Sequence, residues 1–184
     1  MLLTLLTLFA KIIDNRRPQA RKYDAPHLLL FSLLALLAWY NKYTDMAMYI
    51  ETHLDELKEL TWCTRERHPA HSTINYFFIT LNLESLETIF REHALSLLPE
   101  GCDLEHAHIA TDGKCLRGSY DNAEWTHALQ IVSSFLVKYS IVLSHEFIEW
   151  KKTNEIPVIQ DIFKRLDIHK PVHTVDALHC QKKR

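Results

Sequence analysis

Asp112 and Asp176 are the residues of this sequence whose type and setting could do chemistry. Each closes a short apolar run, HIATD or HTVD, and each is followed by a small residue, Gly113 or Ala177. Open α/β sheets place ligands at the carboxyl ends of their strands, so two such acids converge if their strands are neighbours. Paired carboxylates repel unless a cation lies between them. Mg²⁺ suits that position, because it takes hard oxygen ligands and leaves room for water and substrate phosphates. Two such ions can serve the attacking and leaving oxygens of a phosphodiester. Lys114 and Arg117 follow Asp112 closely enough to engage a phosphate. The bland alternative is that acids at strand ends cap turns and that the two bases are solvated turn charges.

The elements that must position these residues come from a chain of 184 residues, 47% hydrophobic and 24% charged, a composition of globular proteins rather than disordered ones. A formal charge of -2 excludes a globally basic protein and leaves nucleic-acid binding to a local patch. The four cysteines, Cys63, Cys102, Cys115 and Cys180, are scattered with no CxxC pair, which fits reduced thiols and a cytoplasmic location. Twelve histidines are a surplus. Cys102 with His106 and His108, or His68 with His71, are alternative zinc ligands, but neither set supplies four positions at a familiar spacing.

No membrane association is expected. MLLTLLTLFA resembles a signal-peptide core, yet no basic segment precedes it and Lys11 stands where a small-residue cleavage motif belongs. LLLFSLLALLAWY, residues 28–40, is shorter than the roughly 20 residues of a spanning helix, and its apolarity on all sides suits a helix inside a core.

The periodicity predicts two domains, a helical one over 1–100 and a strand-rich one over 101–184. After the basic connector DNRRPQARKYDAPH, Asp24 and Pro26 start the buried helix at 28–40. Met46, Ile50, Leu54 and Leu57 predict one helix over about 45–60. Ser72 is expected to cap a helix through Leu81, and Asn82 another through Leu98. Beyond PEGCD the period shifts towards two. HIATD, ALQIVSSFLV and YSIVLSHEFIEW predict three strands, NEIPVIQDIFKRLD a helix, and HKPVHTVDAL a short buried strand ending at Asp176. The fold class is α+β or α/β, with the order βββαβ in its second half.

Three segments, IATDGKCLRGSYD, TNEIPVIQDIFKRLD and TVDALHCQKK, occur in an order and at a spacing that resemble the DDE transposases of bacterial insertion sequences, specifically the H-repeat-associated group. IIDNRRPQARKYDAPHLLLFSLLALLAW and HPAHSTINYFFITLNLESLETIF resemble the transposase-associated N-terminal domain of that group. The resemblance implies a ribonuclease-H-like core that cuts and joins DNA with Mg²⁺ or Mn²⁺. It makes Asp112 and Asp176 the first and second catalytic acids and metal ligands, with the DNA ends of the element as partner. Asn154 and Glu155 match an Asn-Glu-Ile segment of the family and receive no catalytic role.

The resemblance also implies a third acid, a glutamate well downstream of the second aspartate. The sequence ends at Arg184, and Glu146 and Glu155 precede Asp176. The chain is therefore read as a C-terminally truncated transposase with an incomplete, inactive core. An incomplete sheet exposes an edge, so self-association or association with a full-length transposase is expected. The competing reading is a DNA-binding remnant or regulator. It rests on a helix, charged turn and helix over 45–81, with Arg65, Arg67, His68, His71 and Asn75 near the second helix start. Weak electrostatic DNA binding is expected from Arg16, Arg17, Arg21, Lys22, Arg65 and Arg67.

Overall fold

Apolar residues at helical spacing need a partner surface, and the first half of the chain supplies its own. The computed structural model describes residues 2–102, 104–116, 119, 129–148, 162, 164, 168 and 170–175. The chain divides into two units, Met1–Ile89 and Phe90–Arg184. The described residues form six α-helices and a four-stranded mixed sheet.

The first unit contains α1 (Leu2–Phe9), α2 (Ala25–Leu37), α3 (Tyr43–Thr52), α4 (Leu54–Thr61) and α5 (His71–Thr80), and α6 (Leu83–Ser96) runs across the division. Its core gathers Leu28, Leu30, Ile50, Ile74 and Phe77, with Phe9 and Ile12 from the start of the chain. Each fully buried side chain of this kind contributes about 1.5–3 kcal/mol. The apolar opening segment is thus a short helix packed into a core. No helix among the described residues is long and apolar enough to cross a membrane.

Three boundaries differ from the periodicity. The helix expected over 45–60 breaks at His53, whose backbone (φ -106°, ψ 17°) closes α3 and opens α4. The His53 ring meets Tyr49 at 4.7 Å and its Nδ1 meets Glu56 Oε2 at 3.0 Å. The second difference is at α5, which begins at His71, so Ser72 lies inside the first turn rather than capping it. The Ala70 carbonyl accepts from the N–H groups of Thr73 and Ile74 instead. The third is at α2, which stops at Leu37 because Trp39 takes a left-handed conformation (φ 68°). Asn82 does cap α6: its Oδ1 accepts from the Ser85 N–H at 2.7 Å.

Asp24 precedes α2 as expected, but its carboxylate takes the His27 Nδ1 at 2.5 Å rather than a backbone N–H. The His27 hydrogen bond to Asp24 raises the imidazole above its usual pKa, against burial. Burial pushes the Asp24 carboxyl up, but the bond and charge of His27 outweigh it and leave it lowered. The stabilisation from His27 is therefore complete below its unfolded pKa and is lost as pH rises through the raised folded value. That from Asp24 is present above its unfolded pKa and is lost as pH falls through the lowered one. Urea titrations should show Asp24→Asn losing on the order of 1 kcal/mol near pH 5–6, the discounted value of a half-exposed charged bond. An Asp24→Asn stability profile parallel to wild type from pH 4 to 8 would show that the pair contributes nothing.

In the second unit, β1 (His108–Cys115), β2 (Gln130–Leu136), β3 (Ile141–Ile148) and β4 (Val172–Val175) form one sheet in the order β3-β2-β1-β4. The β1–β2 and β2–β3 pairs are antiparallel, and β1–β4 is parallel. Ile109, Leu136 and Leu143 form the buried centre, with Leu98, Leu104, Tyr139 and Ile168 packed on it. Two expectations are corrected here. β1 does not end at Asp112, because β2 continues to supply ladder partners as far as Cys115↔Gln130. β4 is not buried: it stands outermost of the four strands, alternates between exposed and half-buried, and leaves Val172 53% exposed. Of the helix expected over 154–167, Ile162 and Lys164 are described; both are helical and Ile162 is buried.

Candidate functional site

Strand alternation assigns each β1 side chain to a face. Ile109 and Thr111 point into the interior, both buried, so Ala110, Asp112 and Lys114 share the opposite face. On that face the antiparallel ladder sets Asp112 across from Ser133, and Ser133 across from His145 on β3. A row of carboxylate, hydroxyl and imidazole positions thus crosses three strands. At its far end the His145 ring meets Phe90 at 4.7 Å. Sequence reading missed Ser133 and His145, because the row exists only once the hairpin register is set.

The parallel side of β1 matters most. Thr111 pairs with Val175, so the residues immediately before Asp112 and Asp176 are opposite each other on adjacent strands. His108 Nε2 and Thr174 Oγ1, 2.9 Å apart on the Asp112 face, tie the two strands together. On the interior face, the Thr111 and Ser134 hydroxyls meet at 3.1 Å, bracing β1 against β2. These links hold the β1 backbone at Asp112 from both sides.

The Asp112 side chain is exposed and carries no hydrogen bond or ion pair to any described residue. Lys114 is exposed on the same face, about 6.6 Å further along the strand. Asp176, Arg117, Asn154 and Glu155 lie outside the described residues. Asp176 follows directly in sequence on Val175, the partner of Thr111.

The zinc alternatives do not assemble: among the described residues no three His, Cys, Asp or Glu side chains gather as ligands. His106 faces Glu105 at 3.8 Å, His108 faces Thr174, and His68 faces Glu51 at 3.9 Å.

The expected basic set divides. Arg17, Lys22, Arg65 and Arg67 are exposed. Arg16 is not available to DNA: it is 1% exposed. Its guanidinium bonds both Asp14 oxygens at 2.9 and 2.8 Å and the Tyr23 carbonyl at 2.7 Å, and it lies 5.1 Å from the centre of the Phe77 ring. Burial pushes the Asp14 carboxyl up, but hydrogen bonds from Arg16 and the charges of Arg16 and Arg21 hold it below its usual range. Arg21 is half tied, donating to the Arg16 and Asp14 carbonyls. Nor do α4 and α5 form a helix-turn-helix reader. Residues 62–70 separate them, where that motif uses a turn of about 3–4 residues.

Comparison with known proteins gives these features a relationship. The family model DDE_Tnp_1-associated matches residues 6–94. YbfL of Escherichia coli K12 is 30% identical over 173 residues, covering 93% of this chain and 44% of that protein. The "H repeat-associated putative transposases" YhhI and YbfD of the same strain are each 28% identical over 172 residues; the alignments cover 93% of this chain, 44% of YhhI and 66% of YbfD. The chain thus spans a little under half the length of YbfL and YhhI. No solved structure matches it. The match to the DDE_Tnp_1-associated model takes in residues 6–94, and along nearly its whole length the chain is similar to putative transposases of the H-repeat-associated group.

Proposed function

We propose that this chain serves DNA transposition, the cleavage and transfer of DNA strands, with Asp112 and Asp176 as ligands of Mg²⁺ or Mn²⁺ in a ribonuclease-H-like core. The observation that carries the reading is the parallel β1–β4 ladder with Thr111 opposite Val175. One antiparallel three-stranded meander with a parallel fourth strand beside β1 is the sheet such a core requires. The ion would stabilise negative charge developing on a phosphodiester. The chain's own part is to present Asp112 on a braced strand and to offer Lys114, with Arg117, to a neighbouring phosphate. The three described thiols, Cys63, Cys102 and Cys115, are free, which fits work in the reducing cytoplasm.

Mn²⁺ binding followed by electron paramagnetic resonance tests the site. Asp112→Asn and Asp176→Asn should each weaken binding by about tenfold or more, since even supporting residues of metal sites are worth 10–100-fold. Bound Fe²⁺ with peroxide should cut the backbone near both aspartates. Unchanged Mn²⁺ affinity in both variants would sink the assignment. The second reading, a DNA-binding regulator of a full-length transposase, is favoured by the exposed Arg65 and Arg67.

A further inference from the structure

The first turn of α2 and the last turn of α4 meet at one imidazole. His27 Nδ1 faces Asp24 Oδ2 at 2.5 Å, and its Nε2 faces the Thr61 carbonyl at 3.4 Å. Carboxylate and carbonyl only accept, so the ring satisfies both when each nitrogen carries a hydrogen, which is the cationic form. Thr61 closes α4, and Trp62 turns the chain away in a left-handed conformation (φ 54°). A helix leaves its last carbonyls without intrahelical partners, and that end favours a cation. Protonated His27 answers both demands from a different helix.

The segment that follows α4, residues 62–70, is fastened twice. His27 holds its start. The Tyr23 hydroxyl holds its other end, donating to the His68 carbonyl at 2.8 Å and reaching the carbonyl of Arg67. The two fastenings differ in kind, because a phenol keeps its hydrogen near neutral pH whereas imidazole changes charge there. Asp24 is the charged group that faces His27; α4 turns the Thr61 carbonyl to it, and Phe31 of α2 packs edge-on at 5.6 Å. The neighbouring histidines answer to other acids: His68 faces Glu51 of α3 at 3.9 Å, and His53 faces Glu56 of α4 at 3.0 Å.

We infer that His27 is a proton-operated clasp: protonated, it fastens the end of α4 and the start of the 62–70 segment to α2, and neutral, it releases them. When one proton leaves, Asp24 keeps the remaining hydrogen on Nδ1. The Nε2 lone pair is then turned to the Thr61 oxygen, and two acceptors face each other. The bond to Asp24 raises the imidazole above its usual pKa, against burial, so release falls on the alkaline side of ordinary histidine titration. Tyr23 stays bonded, and the segment opens from its α4 end alone.

NMR titration of the 184-residue chain between about pH 5 and 9, with amide hydrogen exchange corrected for its intrinsic pH dependence, tests the clasp. Protection in the last turn of α4 should fall by about tenfold as pH rises, the worth of one charge-assisted hydrogen bond. Its midpoint should coincide with that of the His27 ring signals. Asp24→Asn should carry both midpoints together to lower pH, and His68→Gln should leave them in place. His27→Gln should flatten the dependence. Protection that ignores the His27 midpoint in the wild-type chain, or fails to move with it in Asp24→Asn, would overturn the inference. So would a pH dependence that survives His27→Gln or shifts with His68→Gln.

Discussion

Replacing Arg16 with alanine is expected to lower the unfolding free energy of the helical unit by about 3–5 kcal/mol, the loss typical of breaking a buried ion pair on one side only. The guanidinium is fully enclosed and satisfies Asp14 and the Tyr23 carbonyl together. Its removal leaves the Asp14 carboxylate, at 18% side-chain exposure, only the backbone N–H of position 16 and Arg21 at 3.7 Å, and opens a space above Phe77. Arg16→Lys should recover only part of the loss, because an ammonium cannot make the forked contact to both carboxylate oxygens. Arg17→Ala, one position along and exposed, should stay within about 0.5 kcal/mol of wild type. Urea unfolding followed by circular dichroism would decide it. Equal midpoints for the Arg16 and Arg17 variants would mean that the enclosed pair is energetically neutral.

The second large effect concerns catalysis, and it follows from the proposed function. A polypeptide of these 184 residues is expected to leave DNA uncut in Mg²⁺ or Mn²⁺. Phosphoryl transfer by two ions needs both held in register with the attacking and leaving oxygens. Residues 177–184 add no carboxylate side chain to Asp112 and Asp176. Small misplacements of reacting groups already cost on the order of a hundredfold, and a missing ligand should cost more. The assay pairs the purified chain with an Asp112→Ala control on DNA carrying ends of the element. Nicking that disappears with Asp112 would overturn the expectation and show that another residue or another copy of the chain completes the site. Equal absence of nicking in both is the expected result.

Much of the layout was legible because hydrophobic period reports local structure. Ile74 and Phe77, Asn82 before its helix, and the two strands β2 and β3 stand where their patterns put them. Arg16 was not legible: its sequence neighbours Arg17 and Pro18 suggest a solvated connector, and the groups that enclose it include Phe77, 61 positions away. The break at His53 carries no proline or glycine to announce it. The extension of β1 beyond Asp112 was hidden because Gly113 and Lys114 read as a turn, while their ladder bonds depend on where β2 folds back. At the site, the types of Asp112 and Lys114 and the neighbouring strands were legible. The Ser133 and His145 row was not, because cross-strand register is a property of the assembled sheet.

The two sides of β1 differ in the length of chain that must fold back to cover them. The inner end of its hairpin, Cys115↔Gln130, closes a loop of 15 positions, whereas Thr111↔Val175 closes one of 64. Loop entropy makes the second closure dearer by about 1 kcal/mol, before any contact repays it. The meander can therefore exist while β4 is still searching, and the pairing that leads up to the two acids belongs to the last and least local contact of the sheet. Any bond across that junction, the His108–Thr174 pair above all, acts as a latch on the strand that the chain has most difficulty bringing home.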